Sequence, residues 1–203
     1  MPQPEAEEES AHGRIGYGSY GRFTPAAMAV IMIVALAAIG FYQWDRSSGN
    51  GKPPRLAGKP APEVTLSLFN GQELRLSDYR GSIVVLNFWA SWCDPCKAEA
   101  PLLQHIDPRA VPDGATIAVI GVDLKNDKAN DARAFIAEHG ITYPTGQDTG
   151  GELAYRGPIE VAFGIAPNYP TTIFIRPDGV IDSVYIGQID QESLNRSIAA
   201  AVD

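Results

Sequence analysis

The stretch Phe88-Trp89-Ala90-Ser91-Trp92-Cys93-Asp94-Pro95-Cys96-Lys97-Ala98-Glu99-Ala100-Pro101 constrains the fold more than any other part of the chain. It carries both cysteines of the protein in a Cys-x-x-Cys spacing. A continuous apolar run, Ile83 to Trp89, leads into it, and a helix-like segment follows. A strand that turns sharply into Cys-x-x-Cys at a helix start makes a thiol reactive. The helix N-terminus offers unpaired N–H groups and a partial positive charge, and both stabilise a thiolate. A free thiol titrates at about 8.5, and such sites lower it to roughly 3.5–7.5. Cys93 stands ahead of the helix, where its sulfur is expected to be exposed, and is the expected nucleophile. Cys96, one turn on and more buried, is the expected resolving thiol.

Composition narrows the alternatives. A chain of 203 residues suggests one domain plus appendages. A formal net charge of -8 argues against a nucleic-acid binder, which would need a basic face. Two cysteines cannot form a disulfide framework, so the fold must stand on packing and the pair is free for chemistry. Half of a zinc site would need further Cys or His at ligand spacing, whereas His12, His105 and His139 are scattered. No metal and no cofactor are therefore expected. A purely structural disulfide would close too small a loop to stabilise much.

Residues 1–24 are poor in apolar side chains, with an acidic cluster (Glu5, Glu7, Glu8, Glu9) and a Gly/Tyr-rich piece, Gly16 to Gly21. They are expected to form a disordered tail. Residues 25–44 read as a single transmembrane anchor. The stretch from Phe23 to Trp44 is uncharged and long enough for a hydrocarbon core that needs about 20 residues. Tyr42 and Trp44 at its end suit a membrane interface. A cleaved signal peptide is the rival, with Ala35-Leu36-Ala37 as its cleavage motif, but the apolar run is long and the preceding segment acidic. Residues 45–60 read as a linker, flexible through Ser47-Ser48-Gly49-Asn50-Gly51 and stiffer after Pro53-Pro54.

Residues 61–203 read as one α/β domain. Val64, Leu66 and Leu68 alternate with polar residues, Asn70-Gly71 follows, and Leu74 and Leu76 alternate again. That pattern predicts a β-hairpin with a two-residue type I′ turn. Ile83 to Trp89 is expected as a central buried strand, followed by the Cys-x-x-Cys helix to about Ile106, with Pro101 kinking it. Thr116 to Val122 is a second buried strand. Asn126 or Asp127 is expected to cap a helix whose inner face is Ala129, Ala132, Phe135 and Ile136, stopped at Gly140. Ile141 to Ile165 is the least legible segment, broken up by Gly150-Gly151 and Gly157-Pro158, with Val161, Phe163 and Ile165 expected to pack locally. Thr171 to Ile175 and Val180 to Ile186 are strands joined at Pro177-Asp178-Gly179. Leu194, Ile198, Ala201 and Val202 form the apolar face of a C-terminal helix. This order builds a mixed sheet with helices on both sides.

The motif Trp92-Cys93-Asp94-Pro95-Cys96 resembles the active site of the thioredoxin superfamily. Its extension through Lys97-Ala98-Glu99-Ala100-Pro101 is similar to the membrane-anchored TlpA/ResA/DsbE-type branch, whose motif reads W-C-x-P-C-x-x-E-x-P. The resemblance covers roughly residues 60 to 203. It implies a thioredoxin-like fold and a membrane-anchored, extracytoplasmic thiol–disulfide oxidoreductase that reduces protein disulfides. It also implies apocytochrome c cysteines as one substrate, within cytochrome c maturation, and a membrane thiol-transfer protein as reductant. The charges flanking the apolar span point the other way. Arg14 and Arg22 precede it, while Arg46, Lys52, Arg55 and Lys59 follow, although long domains translocate largely regardless of such charge.

The resemblance also assigns roles. Glu99 shares a helix face with Cys96, three residues on, and its side chain leans toward the thiols, where it is placed to exchange the proton of Cys96. A plain helix-dipole role for Glu99 is the alternative. Pro170 corresponds to the family's cis-proline, and Tyr169 before it to the residue that pairs with a substrate peptide. Trp89 and Trp92 are expected mainly to pack, although Trp92 is also grouped with these as a substrate-side residue placed to shield Cys93. Asn87 occupies the place where thioredoxins proper carry a buried acid. Asp94 either disfavours a Cys93 thiolate by like-charge repulsion, making the protein a mild reductant, or is solvated and screened. Two other functions compete: a peroxide-reducing redoxin, for which no Thr-x-x-Cys motif is present, and a non-catalytic metal-binding or docking module.

Overall fold

The computed structural model describes residues 31–36, 56–111 and 115–202. Residues 31–36 are helical, with Ile31, Met32, Ile33, Val34 and Leu36 exposed. Among the described residues no helix is long and apolar enough to cross a membrane. The expected tail 1–24, most of the expected anchor 25–44 and most of the expected linker 45–60 lie outside the described residues.

The domain is built on a five-stranded sheet in the order β5-β4-β3-β6-β7. Its elements are β3 (Ser82–Trp89), β4 (Thr116–Asp123), β5 (Thr145–Gln147), β6 (Thr171–Ile175) and β7 (Ile181–Ile186). Strands β3, β4 and β5 run parallel, while β6 is antiparallel to β3 and β7 antiparallel to β6. Ahead of the sheet a two-stranded hairpin, β1 (Thr65–Ser67) and β2 (Glu73–Arg75), pairs Leu66 with Leu74. Among the described residues of this domain, four α-helices flank the sheet: α1 (Asp94–Gln104), α2 (Ala129–Glu138), α3 (Pro158–Ala162) and α4 (Gln191–Ala200).

The apolar run of β3 has a direct cause in its position. With a neighbour on each edge and a core on each face, its residues serve two packed layers by alternation. Val84, Leu86 and Phe88 join one cluster with Leu66, Ile120, Phe135, Phe163 and Ile173. Ile83 and Val85 join the other with Leu103, Ile117, Phe174, Leu194 and Ile198. The C-terminal helix packs as its periodicity predicts, with Leu194, Ile198 and Ala201 buried.

Four local expectations are corrected. Gly71 N–H bonds to Leu68 O at 3.0 Å and Leu68 N–H to Gln72 O at 2.8 Å, so the hairpin closes on a three-residue loop. Gly71 sits at φ 86° after the turn, which is the bulged class rather than type I′. Helix α2 is capped by Lys128 with no side-chain cap, because the Asp127 carboxylate is turned elsewhere, and Ala129 is exposed. The pairing also reaches back into the expected linker: Gly58 N–H bonds to Ile181 O at 2.8 Å and Ile181 N–H to Lys59 O at 2.9 Å. Finally, the segment from Ile141 to Ile165 contains β5 and α3, and it buries Phe163 and Ile165 while Val161 stays exposed.

Phe163 meets Phe88 edge-on, with ring centroids 6.0 Å apart, and ties α3 to the central strand. Phe163→Ala is expected to lower stability by about 3–5 kcal/mol. Urea denaturation of the oxidised protein measures this, and a loss below about 1 kcal/mol would show that α3 is not held by that contact.

Candidate active site

Strand β3 ends at Trp89, and the chain turns through Ala90, Ser91 and Trp92 into Cys93, the N-cap of α1. Cys93 N–H bonds to Ala90 O at 3.1 Å, and Pro95 occupies the first turn, where its missing N–H costs nothing. Cys93 and Cys96 are joined in a disulfide. The expected exposure of Cys93 is corrected: both cysteines are buried, at 5% and 2%. Cys93 is bonded to Cys96, which lies on the inward face of α1, and the bond draws its sulfur into the packed layer.

Asp94 points into solvent and forms an ion pair with Lys97 Nζ at 2.8 Å. The hydrogen bond and charge of Lys97 hold its carboxyl below the usual range. Of the two readings of Asp94, the screened one fits this geometry, since a fully exposed charge with its own counter-ion exerts little force on a buried sulfur.

Glu99 is buried on the same face of α1 as Cys96. Its Oε1 accepts from Asn87 Nδ2 at 2.7 Å and its Oε2 from the backbone N–H of Ile189 at 3.0 Å. Asn87 also donates to Thr172 Oγ1 at 3.0 Å, so one amide bridges β3, α1 and β6. Burial pushes the Glu99 carboxyl up to about 7, and the two hydrogen bonds pull in the opposite direction. Desolvation wins, leaving a carboxyl that titrates near neutrality.

The Tyr169-Pro170 peptide bond is cis, at the entry to β6. The Tyr169 ring stands edge-on to Trp92 with centroids 6.3 Å apart, and Trp92 is half exposed. These two side chains border an open depression of about 500 Å³, also lined by Asn126, Pro167, Asn168, Ile186 and Gly187. The Tyr169 hydroxyl donates to Glu160 Oε1, and burial and this carboxylate keep the phenol protonated above its ordinary range. Glu160 is itself fully buried, with Arg156 Nε 3.6 Å from it. The structure thus brings Trp92 and Tyr169 to one depression, and Pro170 adjoins its rim, its carbonyl accepting from Gly187 N–H at 2.8 Å. Trp89, the other tryptophan of the motif, is packed away as expected and stacks on Phe135 at 4.4 Å.

Two parts of this surround were missed from sequence. Asp127 accepts from Ser91 N–H at 2.5 Å and from Ser91 Oγ at 2.7 Å, which clamps the turn ahead of Cys93. Asp148 caps α3 through the N–H groups of Ile159 at 3.0 Å and Glu160 at 2.8 Å. A Cβ on Gly157 would fall 2.1 Å from the Asp148 carboxyl carbon, so only glycine permits this approach. The available signal was position: Asp123 and Asp127 bracket the C-terminal end of a buried strand run, the end on which the Cys-x-x-Cys turn also lies.

With this geometry in hand, the comparisons are specific. A family model described as the AhpC/TSA family matches residues 57–184. The chain is 30% identical over 169 residues to the thiol-disulfide oxidoreductase ResA of Geobacillus thermodenitrificans, covering 83% of this chain and 91% of the relative. It is 32% identical over 168 residues to the ResA of Oceanobacillus iheyensis, covering 81% and 82%. Among solved structures, a putative thiol:disulfide interchange protein DsbE from Chlorobium tepidum superposes with a TM-score of 0.61 at 28% identity, covering 72% of this chain and 98% of that one.

The Glu99 shift has a stability consequence with a definite sign. Its carboxyl rises from 4.5 to about 7 on folding. As pH climbs through that window the native state keeps a proton that the unfolded chain releases, so stability falls, by about 3 kcal/mol in full. Glu99→Gln is expected to remove this slope: relative to the parent, the oxidised variant gains stability between about pH 5 and about pH 8. Any constant cost of placing an amide there cancels in that comparison. Urea midpoints at the two pH values test it, and parallel pH dependence in both proteins would refute it.

Proposed function

The chain belongs to the AhpC/TSA family and to the ResA-like thiol–disulfide oxidoreductases within it; from that premise we propose that it reduces protein disulfides with Cys93 as the attacking thiol. The carrying observation is the Cys93–Cys96 disulfide at the start of α1, beside a buried Glu99 that titrates near neutrality. In the reduced protein the Cys93 thiolate attacks one sulfur of a substrate disulfide. A mixed disulfide forms and the other substrate sulfur leaves as a thiolate. The Cys96 thiol then passes its proton to the Glu99 carboxylate and attacks Cys93. The Cys93–Cys96 bond forms, the substrate is released with both sulfurs reduced, and two electrons have moved from the protein to the substrate.

Substrate binding belongs to the depression beside Trp92, Tyr169 and Pro170. A polypeptide laid there places its cysteine next to the Cys93 turn. We assign Trp92 and Tyr169 to apolar contact with that polypeptide and the Pro170 loop to its backbone. The protein substrates include apocytochrome c, and a membrane thiol-transfer protein re-reduces the oxidised pair. These two assignments draw on the resemblance to the TlpA/ResA/DsbE branch. The uncharged run from Phe23 to Trp44 supports a single membrane anchor. In this reading the domain stands on the extracytoplasmic side.

A Cys96→Ser variant removes the resolving step and is expected to accumulate substrate bound to Cys93. Non-reducing gels followed by mass spectrometry of the trapped species test this. Absence of any adduct, or adducts that survive a further Cys93→Ser change, would reject Cys93 as the nucleophile. A cysteine reagent that cannot cross membranes is expected to label the reduced pair in intact cells. Labelling only after lysis would place the domain on the cytoplasmic side.

A further inference from the structure

Behind the substrate-side depression runs a chain of polar contacts that the thiol chemistry does not use. It starts at Asp148, whose carboxyl oxygens take the N–H groups of Ile159 at 3.0 Å and Glu160 at 2.8 Å and so fix the first turn of α3. Phe163, just past the other end of α3, packs against Phe88 of β3. Glu160 is held between these two points and is fully buried. Its Oε1 accepts from the Tyr169 hydroxyl and lies 3.6 Å from Arg156 Nε. Its Oε2 receives a long contact from Gly157 N–H at 3.4 Å. The Arg156 guanidinium also donates to the carbonyls of Glu160 and Ile165, bracing the helix and the segment after it.

A buried carboxylate is a costly way to hold a short helix. Asp148 and Phe163 already anchor α3, and an apolar side chain at position 160 would fill space without desolvating a charge. What a carboxylate adds there is an acceptor for the phenol of Tyr169. The Tyr169 ring stands edge-on to Trp92, with centroids 6.3 Å apart, and both rings line the depression. Because its hydroxyl is engaged inside the protein, the depression meets aromatic carbon rather than a free phenol O–H. None of the side chains lining that depression is charged. A half-exposed aromatic left free populates several rotamers, and fixing one of them beforehand spares that entropy when a ligand binds.

We propose that Glu160 is a positioning residue for substrate selection: it pins the Tyr169 ring beside Trp92, and the wall so formed selects a polypeptide with an apolar side chain next to its cysteine. The selectivity rests on the protein-disulfide reductase reading, with Cys93 attacking; the pinning of the ring does not.

The first arm of the test follows the Trp92 indole N–H in proton–nitrogen correlation spectra of the oxidised full-length protein. The chain has three tryptophans, so this resonance is identified by its loss in Trp92→Phe. Tyr169→Phe cuts the hydrogen bond to Glu160 and leaves both rings, and it is expected to shift the resonance. Glu160→Gln, whose side-chain carbonyl still accepts from the phenol, is expected to keep it near the parent position. A parent-like resonance in Tyr169→Phe, or a displacement in Glu160→Gln as large as in Tyr169→Phe, overturns the positioning role. The second arm measures kcat/KM of the reduced full-length protein on two disulfide-linked peptides that carry Leu or Gly beside each cysteine. The parent is expected to prefer the Leu peptide about tenfold, in KM. Tyr169→Phe is expected to lose most of that preference and Glu160→Gln to keep it. Equal rates on both peptides in the parent, or an undiminished preference in Tyr169→Phe, overturns the selectivity. A parent that reduces neither peptide refutes the reductase reading instead, and the indole resonance then decides the positioning by itself.

Discussion

The redox centre depends on one constraint: β3 is buried on both faces and paired on both edges, and it ends where the cysteines begin. Because every second residue of β3 points into a packed layer, its register against β4 and β6 has little freedom, since a one-residue slip would exchange the two layers. Trp89 is therefore fixed, and the turn that follows inherits its position. The same alternation puts Asn87 on the layer of Ile83 and Val85, where it meets Glu99. A single amide on the central strand thus orients the acid of α1 and is steadied in turn by Thr172 of β6. The Glu99 carboxylate receives one donor from a side chain and one from the backbone of Ile189, so its rotamer is set by parts of the chain remote in sequence.

Several carboxyl groups are buried around this centre, and their partners explain how each is tolerated. Asp148 is served by two N–H groups at the start of α3, and Glu160 by the Tyr169 hydroxyl and the nearby Arg156. Glu99 has two donors yet still titrates near neutrality, which shows that hydrogen bonding offsets only part of the loss of water. Asp123 stands apart: neither oxygen has a close hydrogen-bond donor in the protein, and burial pushes its carboxyl up to about 9. The ordering is physical. As donors are withdrawn from a buried acid, the balance moves from a held anion to a held proton.

Much of this was legible in the residues. The Cys-x-x-Cys turn, the double-sided strand β3 and the face of α4 all come from short-range pattern, and each is where the pattern puts it. The hairpin shows where pattern stops. Asn70-Gly71 marks a turn, but the two-residue and three-residue loops use the same glycine at positive φ and differ only in which neighbour closes the ring. The cap of α2 failed for a different reason: Asp127 has the chemistry of an N-cap, and the Ser91 turn, far away in sequence, competes for its oxygens. Between Ile141 and Ile165 the local signals are glycines and single acids. What organises that segment is Phe163 entering the core and Asp148 reaching α3, neither of which leaves a periodic trace.

The same contrast separates the two acids that flank the cysteines in sequence. Asp94 sits between the cysteines and looks dominant on sequence distance, yet it lies in water with Lys97 against it. At about 4 Å a pair of unit charges exchanges roughly 1 kcal/mol in water and roughly 4 kcal/mol at an effective dielectric of about 20, before any counter-ion is added. A charge on Glu99 acts through packed protein, and it changes with protonation in the pH range where thiols are used. Asp94 stays ionised throughout that range and so contributes a constant, screened offset. The charge that changes with pH inside the packed layer is therefore that of the acid three residues beyond the motif, while the acid within the motif is set apart by solvent and its counter-ion.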